Sequence, residues 1–423
     1  MALIPLLGPR RDSTNSTLKF LSAVDKNLQL YRDQNMGLEE FSLCIHICYS
    51  DNKEPASFLE KWIPLLTTMG VKKFRLSIHS EYRKCVLVEL PRIVFGEESL
   101  QDLHVQGFML EQEAIERIAL SKNLKKLRLE HVYVKADTLQ TIIIIYPSSL
   151  ETIQISHSNI PFHKGSDFRN LSELHLSGVE SSLDNLSSCE FPSLKRLTLR
   201  YCYTLAESRI SIDAPNLVYF EYLGSVIPSI SFATTSTECS THLYVFPKGD
   251  RSASWLLKLR TLLESLSRFN ICLDINYKFC NHFRGACEQL IIHDNVHLVL
   301  DDGCNKPVAV ESLLLNCDLC RFSTLLKGLF RICRPKNFGN ICFMRWGMKG
   351  TEFLWNVLTK RESGEQDQFK HELWLLDLEQ ASLEIEDKNR KEWRPITVSE
   401  LANNKKLKYE RTRFALKWRQ TLL

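Results

Sequence analysis

The sequence predicts an α/β repeat fold in which short parallel strands lie side by side and share one apolar interior. Three observations predict it: a six-residue pattern that recurs along the first half, the near-even spacing of its copies, and a composition that supports a large core. Of 423 residues, 44% are hydrophobic, 25% are charged, and only 16 are Gly and 14 are Pro. That composition excludes collagen-like, low-complexity and wholly disordered chains.

The repeated unit has an aliphatic or aromatic residue at positions one, four and six, as in Leu194-Lys-Arg-Leu197-Thr-Leu199. The copies begin at Val71, Leu100, Leu124, Leu150, Leu171, Leu194 and Leu217, at intervals of 29, 24, 26, 21, 23 and 23 residues. Positions four and six are two residues apart, which places both side chains on one face of a strand. The interval leaves room for a turn and a short helix, so successive strands must be parallel, as in a leucine-rich repeat.

Elements outside the regular copies follow the same interpretation. An earlier copy runs from Leu38 to Leu43, and residues 55–68 are predicted to form a helix with Phe58, Leu59, Trp62 and Ile63 inward. Helices are also predicted over 111–121 and 139–145, between copies. After residue 222 the pattern weakens, and irregular copies are predicted at 266–271 and 310–315, with a weaker one at 298–300.

The predicted organisation has four parts: 1–37 as an N-terminal cap or linker remnant, 38–240 as regular repeats, 241–345 as irregular repeats, and 346–423 as a C-terminal cap. The predicted fold class is an α/β leucine-rich-repeat solenoid (horseshoe) with parallel concave strands and convex helices, plus an α+β C-terminal cap. The cap is expected because an open end of a solenoid exposes its core.

Several stretches, together with the repeats, resemble plant F-box/leucine-rich-repeat proteins, the substrate receptors of SCF-type (cullin–RING) ubiquitin ligases. These stretches are 58–63, 71–76, 90–95, 310–313, 325–336 and 413–418. The resemblance extends from about Phe20 onward. It implies a protein-recognition scaffold that binds a target protein on the concave face, while ubiquitin transfer is done by a partner.

Proteins of this family carry a helical F-box before the repeats, which docks on a Skp-type adaptor. Thirty-seven residues precede Leu38, they show no F-box pattern, and Phe20 to Leu30 matches the family's linker after the F-box. The segment from Leu90 to Ile93 begins like an F-box but lies inside the repeat array. We therefore expect a receptor without its F-box, for which a Skp-type adaptor and cullin are partners only if an F-box lies upstream.

Catalytic and metal-site patterns are missing from the sequence. It contains no phosphate-cradling Gly motif, nucleophile elbow, HExxH or paired-carboxylate signature, so we expect no enzyme activity and no cofactor. Cys44-Ile-His46-Ile-Cys48 has its outer residues about 13 Å apart on an extended strand, so one zinc cannot bind all three. Cys317-Asp-Leu-Cys320 is a lone CxxC, and we interpret both groups as structural.

The fifth position of each copy lies between the last two core residues and points away from them, onto the concave face. It is occupied by Arg75, His104, Arg128, Gln154, His175, Thr198 and Glu221. Basic residues flank this column, and the candidate target-binding face consists of Lys72, Lys73, Arg75, His104, Lys125, Lys126, Arg128, Gln154, His175, Lys195, Arg196 and Arg200. This bias predicts an acidic or phosphorylated segment of a target protein as ligand. A solvated polar face without a single ligand is the alternative.

The C-terminal 36 residues, 388–423, carry 11 Lys or Arg and 3 Glu, whereas the whole chain is only +4. Trp393, Tyr409, Phe414 and Trp418 interleave with the basic residues, so a nucleic-acid surface is one alternative, and a capping helix with a basic outer face is the other. A small-ligand sensor of the hormone or inositol-phosphate kind is a further alternative for the concave face. No run is long and apolar enough to cross a membrane, and the scattered cysteines favour a cytoplasmic or nuclear location.

Overall fold

The structure, a computed structural model, describes residues 5–7, 14–47, 54–80, 88–91, 99–111, 122–134, 148–159, 162–206, 208–234, 236, 238–247, 253–276, 306–317, 319–339, 343–359, 373–387, 390–404, 407 and 411–419. The helices predicted over 111–121 and 139–145 lie outside these residues except for Glu111, as does the weak copy at 298–300. The chain divides into two compact units: Met1–Tyr219 with Phe232–Ser236, and Phe220–Ser231 with Thr237–Leu423.

Parallel strands dominate the first unit. Its main sheet has the order β1 (Pro5–Leu7), β2 (Glu40–Ile47), β3 (Lys73–Ser80), β5 (Asp102–Gln106), β7 (Lys126–Glu130), β9 (Thr152–Ser156), β10 (Glu173–Ser177) and β11 (Arg196–Arg200). A second parallel sheet consists of β4 (Val88–Glu89), β6 (Phe108–Leu110) and β8 (Tyr133–Val134). Helices α1 (Thr14–Asp33) and α2 (Glu54–Thr68) and a strand β12 (Arg209–Asp213) complete the described elements, apart from 3₁₀ turns.

The predicted strands form one shared core in this unit. The fourth position of one copy is the direct register partner of the same position in the next copy, through Leu103, Leu127, Ile153, Leu174 and Leu197. Each of these five side chains is at most 1% exposed. The prediction that these aliphatic residues share one interior of parallel strands is therefore confirmed.

Each strand starts at the third position of its copy, because the second position makes the first backbone contact with the preceding copy. The N–H of Lys125 donates to the carbonyl of Gln101 at 2.8 Å, and the N–H of Glu151 donates to that of Lys125 at 2.8 Å. The same bond links Lys195 to Ser172 at 2.9 Å. The second-position side chains therefore lie at the edge where the strands begin.

The residue after each of β5, β7, β9, β10 and β11 has a positive φ. These residues are Gly107, His131, His157, Gly178 and Tyr201, with φ between 48° and 78°. The first four donate their N–H to the carbonyl of the last residue of the next strand at 2.7–3.0 Å, which ends the strands at a common edge. Gly107 is required here, because a Cβ would lie 2.2 Å from the Ile78 carbonyl oxygen.

The connections after β10 and β11 differ from the predicted convex α-helices, whereas α2 between β2 and β3 agrees with the helix predicted over 55–68. After β10 the chain forms a 3₁₀ helix, Asp184–Ser188, and after β11 another, Tyr203–Ala206. Leu183, Leu186 and Cys189 are all buried at a spacing of three residues. Three residues per turn place them on one face, so the 3₁₀ helix fits this spacing where an α-helix would rotate them apart.

The residue that directly follows each of the five positive-φ positions is buried. Cys202 is 2% exposed, and its thiol points to the Leu176 carbonyl of the preceding copy at 3.7 Å. Burial raises the pKa of Cys202 to about 11, so the thiol stays protonated. In an earlier copy Ser158 has this place, and its hydroxyl accepts from the Val132 N–H at 3.1 Å.

The first helices pack on each other through an apolar stripe. Leu21, Val24 and Leu28 of α1 are buried at helical spacing, as is Trp62 of α2. The indole of Trp62 donates to Asp25 at 2.8 Å. Of the four inward residues predicted for the second helix, Leu59, Trp62 and Ile63 are buried and Phe58 is half-buried.

The second unit begins within β13 (Tyr219–Gly224), and the boundary also falls within β14 (Ser229–Ala233). Strands β15 (Ser240–Val245), β16 (Asn270–Asn276), β17 (Val308–Asn316) and β18 (Cys333–Gly339) are parallel, and β18, β21 (Thr412–Trp418), β19 (Leu378–Asp387) and β20 (Glu392–Pro395) pair antiparallel in that order. The helices are α3 (Ala253–Ser265), α4 (Leu319–Ile332), α5 (Phe343–Thr359), α6 (Leu373–Asp377) and α7 (Val398–Asn403).

Two features of this unit differ from the prediction. Strand β15 is not recognised by the pattern, because its buried residues Thr241, Leu243 and Val245 follow simple alternation without a leucine at the first position. The tail does not form the predicted capping helix from its aromatic residues. Phe414 and Leu416 are buried on one face of β21, so the apolar residues follow the two-residue period of a strand.

Candidate functional site

The predicted target-binding face is one side of the main sheet of the first unit, called here the polar face. It consists of positions three, five and seven of each copy, whose side chains point away from the buried leucines. The register of the strands aligns these positions in three rows. The position-five row runs through Ser42, Arg75, His104, Arg128, Gln154, His175 and Thr198.

Carboxylates interleave with the predicted basic residues on this face. The position-three row runs through Glu40, Lys73, Asp102, Lys126, Thr152, Glu173 and Arg196. The position-seven row runs through Cys44, Ser77, Gln106, Glu130, Ser156, Ser177 and Arg200. The face is thus a mosaic of both signs. Reading positions three and seven of the repeat for acidic as well as basic residues would have revealed Glu40, Asp102, Glu130 and Glu173 in the sequence.

Three of the predicted residues lie at the edge of the polar face, not on it. Lys72, Lys125 and Lys195 occupy position two and are exposed where the strands begin. Lys125 forms an ion pair with Glu151 at 2.9 Å, between the same positions of adjacent copies. Exposed pairs of this kind contribute little to stability, at most about 1 kcal/mol.

Two of the predicted arginines are matched by carboxylates. Arg75 Nε lies 3.3 Å from Glu40 Oε1, one strand away. Arg196 Nε lies 3.9 Å from Glu173 Oε1, and its guanidinium carbon lies 4.6 Å from the centre of the Tyr219 ring. Their charges are therefore largely satisfied within the first unit.

Arg128 is different, although it occupies the same position of its copy as Arg75. It is half-buried, its Nε is inaccessible to water, and that atom has no hydrogen-bond partner among the described residues. No ion pair joins Arg128 to a described carboxylate, although Glu130 lies two residues along the same strand. A buried donor without a partner costs about 1–3 kcal/mol, and no described residue offsets this cost at Arg128.

His104 is the direct register partner of Arg128 and adds a second unsatisfied nitrogen. Its Nε2 is buried and lies 3.5 Å from Glu130 Oε1, without the geometry of a hydrogen bond. Burial is the main cause that lowers the pKa of His104; Arg128 and Arg75 lower it further, against the opposing effect of Glu130 and Asp102. His104 is therefore neutral at pH 7, and a bound anion would favour its protonated form.

Positions toward the last strand of this unit are less accessible than predicted. Thr198 is 6% exposed, and Glu221, predicted for the same face, is 8% exposed and lies in the second unit. Gln154 and His175 remain half-buried, and His175 Nε2 lies 3.5 Å from Glu173 Oε2. In the position-five row, Arg128 therefore lies between two half-buried register partners, His104 and Gln154.

Other candidate groups do not assemble a site in the described part of the chain. No group of three or more His, Cys, Asp or Glu able to hold a metal occurs among the described residues. Cys44 is half-buried on β2, whereas the side chains of His46 and Cys48 lie outside the described residues, as does that of Cys320. No helix in the described ranges is long and apolar enough to cross a membrane.

Basic residues of the tail form ion pairs between strands. Arg413 donates to Glu384 at 2.8 Å, Lys417 Nζ lies 2.9 Å from Glu379 Oε1, and Arg411 lies 3.7 Å from Glu386. The aromatic residues are also engaged, since the Trp418 indole donates to the Pro335 carbonyl at 2.7 Å. These contacts occupy groups that a nucleic-acid surface would need.

The comparison with protein families gives one match. Residues 59–245 match the family described as FBD-associated F-box protein At5g56370, LRR repeats. No curated protein matches the chain. The matched part contains the polar face from β3 to β11, including Arg128 and His104. Over these residues the chain is similar to the leucine-rich repeats of FBD-associated F-box proteins.

Proposed function

We propose that this protein is a non-catalytic recognition scaffold that binds an anionic segment of a target protein on the polar face of its first unit. The observation that carries the proposal is the pair of adjacent buried nitrogens, Arg128 Nε and His104 Nε2, that have no hydrogen-bond partner among the described residues. A carboxylate or phosphate would supply acceptors for them, and charge-assisted bonds of this kind contribute about 1.5–3 kcal/mol.

The size of the face fits an extended peptide. Seven strands from β2 to β11, about 4.8 Å apart, give the position-five row a length of about 29 Å. An extended segment of roughly nine residues covers this length at about 3.3 Å per residue. The mixture of acidic and basic residues on this face would select a target segment in which an anionic residue is flanked by residues of mixed charge.

The decisive test compares two arginines at the same position of their copies. An array of synthetic nine-residue peptides, with Glu, phosphoserine or Gln at the centre, is probed with the whole chain, and the best binder is measured by fluorescence anisotropy. R128Q should weaken binding about 10–100-fold, equivalent to about 1.4–2.8 kcal/mol. The matched control R75Q, whose arginine already faces Glu40, should change it less than about threefold.

Two results would contradict the proposal. Equal effects of R128Q and R75Q would mean that Arg128 is not the anchor. Equal binding of peptides with central Gln and central Glu would mean that the face does not recognise an anion. Circular dichroism of both variants is the control for folding.

We also propose that the protein delivers its bound target to a ubiquitin ligase. It is supported by the similarity of residues 59–245 to repeats of an F-box protein. Docking to a Skp-type adaptor requires an F-box, and we expect this chain alone not to bind such an adaptor. Stable co-purification of the chain with the adaptor would overturn that expectation.

The two other functions find less support. An inositol-phosphate sensor needs a concentrated basic cluster, whereas four carboxylates interleave with the cations of the polar face. A nucleic-acid protein working through the tail needs free cations, whereas Arg411, Arg413 and Lys417 pair with carboxylates of β19. Nucleic-acid binding with a steep salt dependence would favour the alternative that the protein binds nucleic acid through its tail.

A further inference from the structure

A half-buried carboxylate, one of whose oxygens has no partner among the described residues, lies on the strand face of the second unit. In β16, Ile271, Leu273 and Ile275 are buried, while Cys272, Asp274 and Asn276 point to the opposite face and are half-buried. Asp274 Oδ1 is inaccessible to water and has no hydrogen-bond partner among the described residues. No described cation forms an ion pair with it. Aspartate in such a position is unusual, because buried carboxylates are normally paired.

The neighbouring strand β15 carries aromatic residues on the same face as this carboxylate. Tyr244 of β15 is the direct register partner of Asp274, and Leu314 is its partner on the other side. The ring of His242 stacks with that of Tyr244, with centroids 6.4 Å apart and an interplanar angle of 17°. Adjacent strands lie about 4.8 Å apart, so one ligand group can reach the carboxylate and the Tyr244 ring together.

Two arginines of the same unit are each held by a carboxylate together with an aromatic ring. Arg334 donates to Asp377 at 2.7 Å while its guanidinium carbon lies 4.8 Å from the centre of a Trp418 ring. Arg413 donates to Glu384 at 2.8 Å and lies 4.2 Å from the centre of the Trp393 ring. In both cases a carboxylate and an aromatic ring hold one guanidinium, through hydrogen bonds and a cation–π contact.

We propose that Asp274 and Tyr244 form a guanidinium-binding site for an arginine side chain of a partner protein. The carboxylate supplies the acceptor, and the Tyr244 ring supplies the face on which the planar guanidinium stacks. Because Asp274 and Tyr244 both belong to the second unit, the site does not depend on the anion-binding residues Arg128 and His104 of the first unit.

The test uses Nα-acetyl-arginine methylamide as the probe and saturation-transfer difference NMR on the whole chain. Nα-acetyl-citrulline methylamide has nearly the same shape without the charge, and its signal should be at most about one third of that of the arginine compound. D274N should reduce the arginine signal at least threefold. The control E311Q removes a half-buried carboxylate that pairs with Lys336 in the same unit and should retain the signal.

A second variant keeps the proposal testable if D274N does not fold. Y244L retains the carboxylate and removes the ring, and it should also weaken the arginine signal at least twofold. R128Q should leave the signal unchanged, so failure of this site and failure of the peptide site are distinguishable. Equal signals from arginine and citrulline compounds, or an arginine signal unchanged in folded D274N or in Y244L, would overturn the proposal.

Discussion

Arg75 and Arg128 occupy the same position of their repeats, yet only Arg75 forms an ion pair with a described carboxylate. The repeat pattern predicts that both lie on the polar face, and the register confirms it. Arg75 is matched by Glu40, which lies diagonally across on β2, whereas the direct register partner of Arg128 on β9 is Gln154. The spacing of the repeats predicts which residues share a row. Which of them form ion pairs depends on the register of the strands and on the rotamers of the long side chains.

No sequence motif identifies Asp274, because a single aspartate in an alternating strand resembles any solvent-facing residue. Its significance comes from burial: burial raises the pKa of Asp274 to about 6. In the unfolded chain the carboxyl has an ordinary pKa near 3.9, so the folded protein holds the proton more tightly between these values. Stability therefore falls as pH rises through this window.

The first prediction follows from that shift. The contribution of Asp274 to stability is fully present below about pH 4 and is lost by about pH 6–7, with a loss of about 2–3 kcal/mol. D274N should abolish this component and make the protein more stable than the wild type at pH 7. Urea unfolding of both proteins at pH 4, 5, 6 and 7 measures it. A D274N variant that is less stable at pH 7 would show that the carboxylate is paired within the chain.

At the scale of elements, the strands and the connecting helix α2 are predicted closely, whereas the connections after β10 and β11 are not. The seven copies of the six-residue pattern correctly predict seven strands, because leucines at positions four and six make a strand with one buried face. These strands are β3, β5, β7, β9, β10, β11 and β13. The second parallel sheet and the 3₁₀ turns are missed, because short connections are decided by local spacing, such as that of Leu183, Leu186 and Cys189. The tail is mispredicted as a helix because its alternation is short.

The second prediction concerns the turn that ends β5. Gly107 and Gly165 have nearly equal positive φ, 78° and 77°, but only Gly107 faces a backbone atom, the Ile78 oxygen, at 2.2 Å from an added Cβ. G165A should cost roughly 1 kcal/mol from the left-handed backbone alone. G107A should cost at least about 3 kcal/mol, because backbone must move. Equal costs in urea unfolding would refute the strand-edge geometry.

The third prediction concerns the shared core. Leu127 is completely buried between the register partners Leu103 and Ile153, whereas the neighbouring Lys126 is exposed. L127A should lower the free energy of unfolding by about 2–5 kcal/mol through the cavity it leaves. K126A is the control and should change it by less than about 0.5 kcal/mol. A small effect of L127A would mean that the leucines do not share one packed interior.

For the whole molecule, the sequence predicts the repeat architecture of the first unit and the side of its sheet that carries polar groups. The carboxylates of the polar face can be found at positions three and seven of the repeat, but the ion pairs that they form with arginines depend on the register of the strands. The sequence does not predict the place of Asp274, whose Oδ1 atom is buried without a hydrogen-bond partner among the described residues. Both proposed sites are therefore products of the stacking, and neither is contained in a contiguous motif.

The central claim is that the polar face of the first unit binds the target, and site-specific photo-crosslinking tests it most directly. p-Benzoylphenylalanine is placed at Gln154, beside Arg128 on the face, or at exposed Ser211 of β12 as the control. The chain is then irradiated with the best peptide from the array. Crosslinking from Gln154, lost in the R128Q background and much weaker from Ser211, is the predicted result. Crosslinking that is equal from both positions, or stronger from Ser211, would contradict the claim.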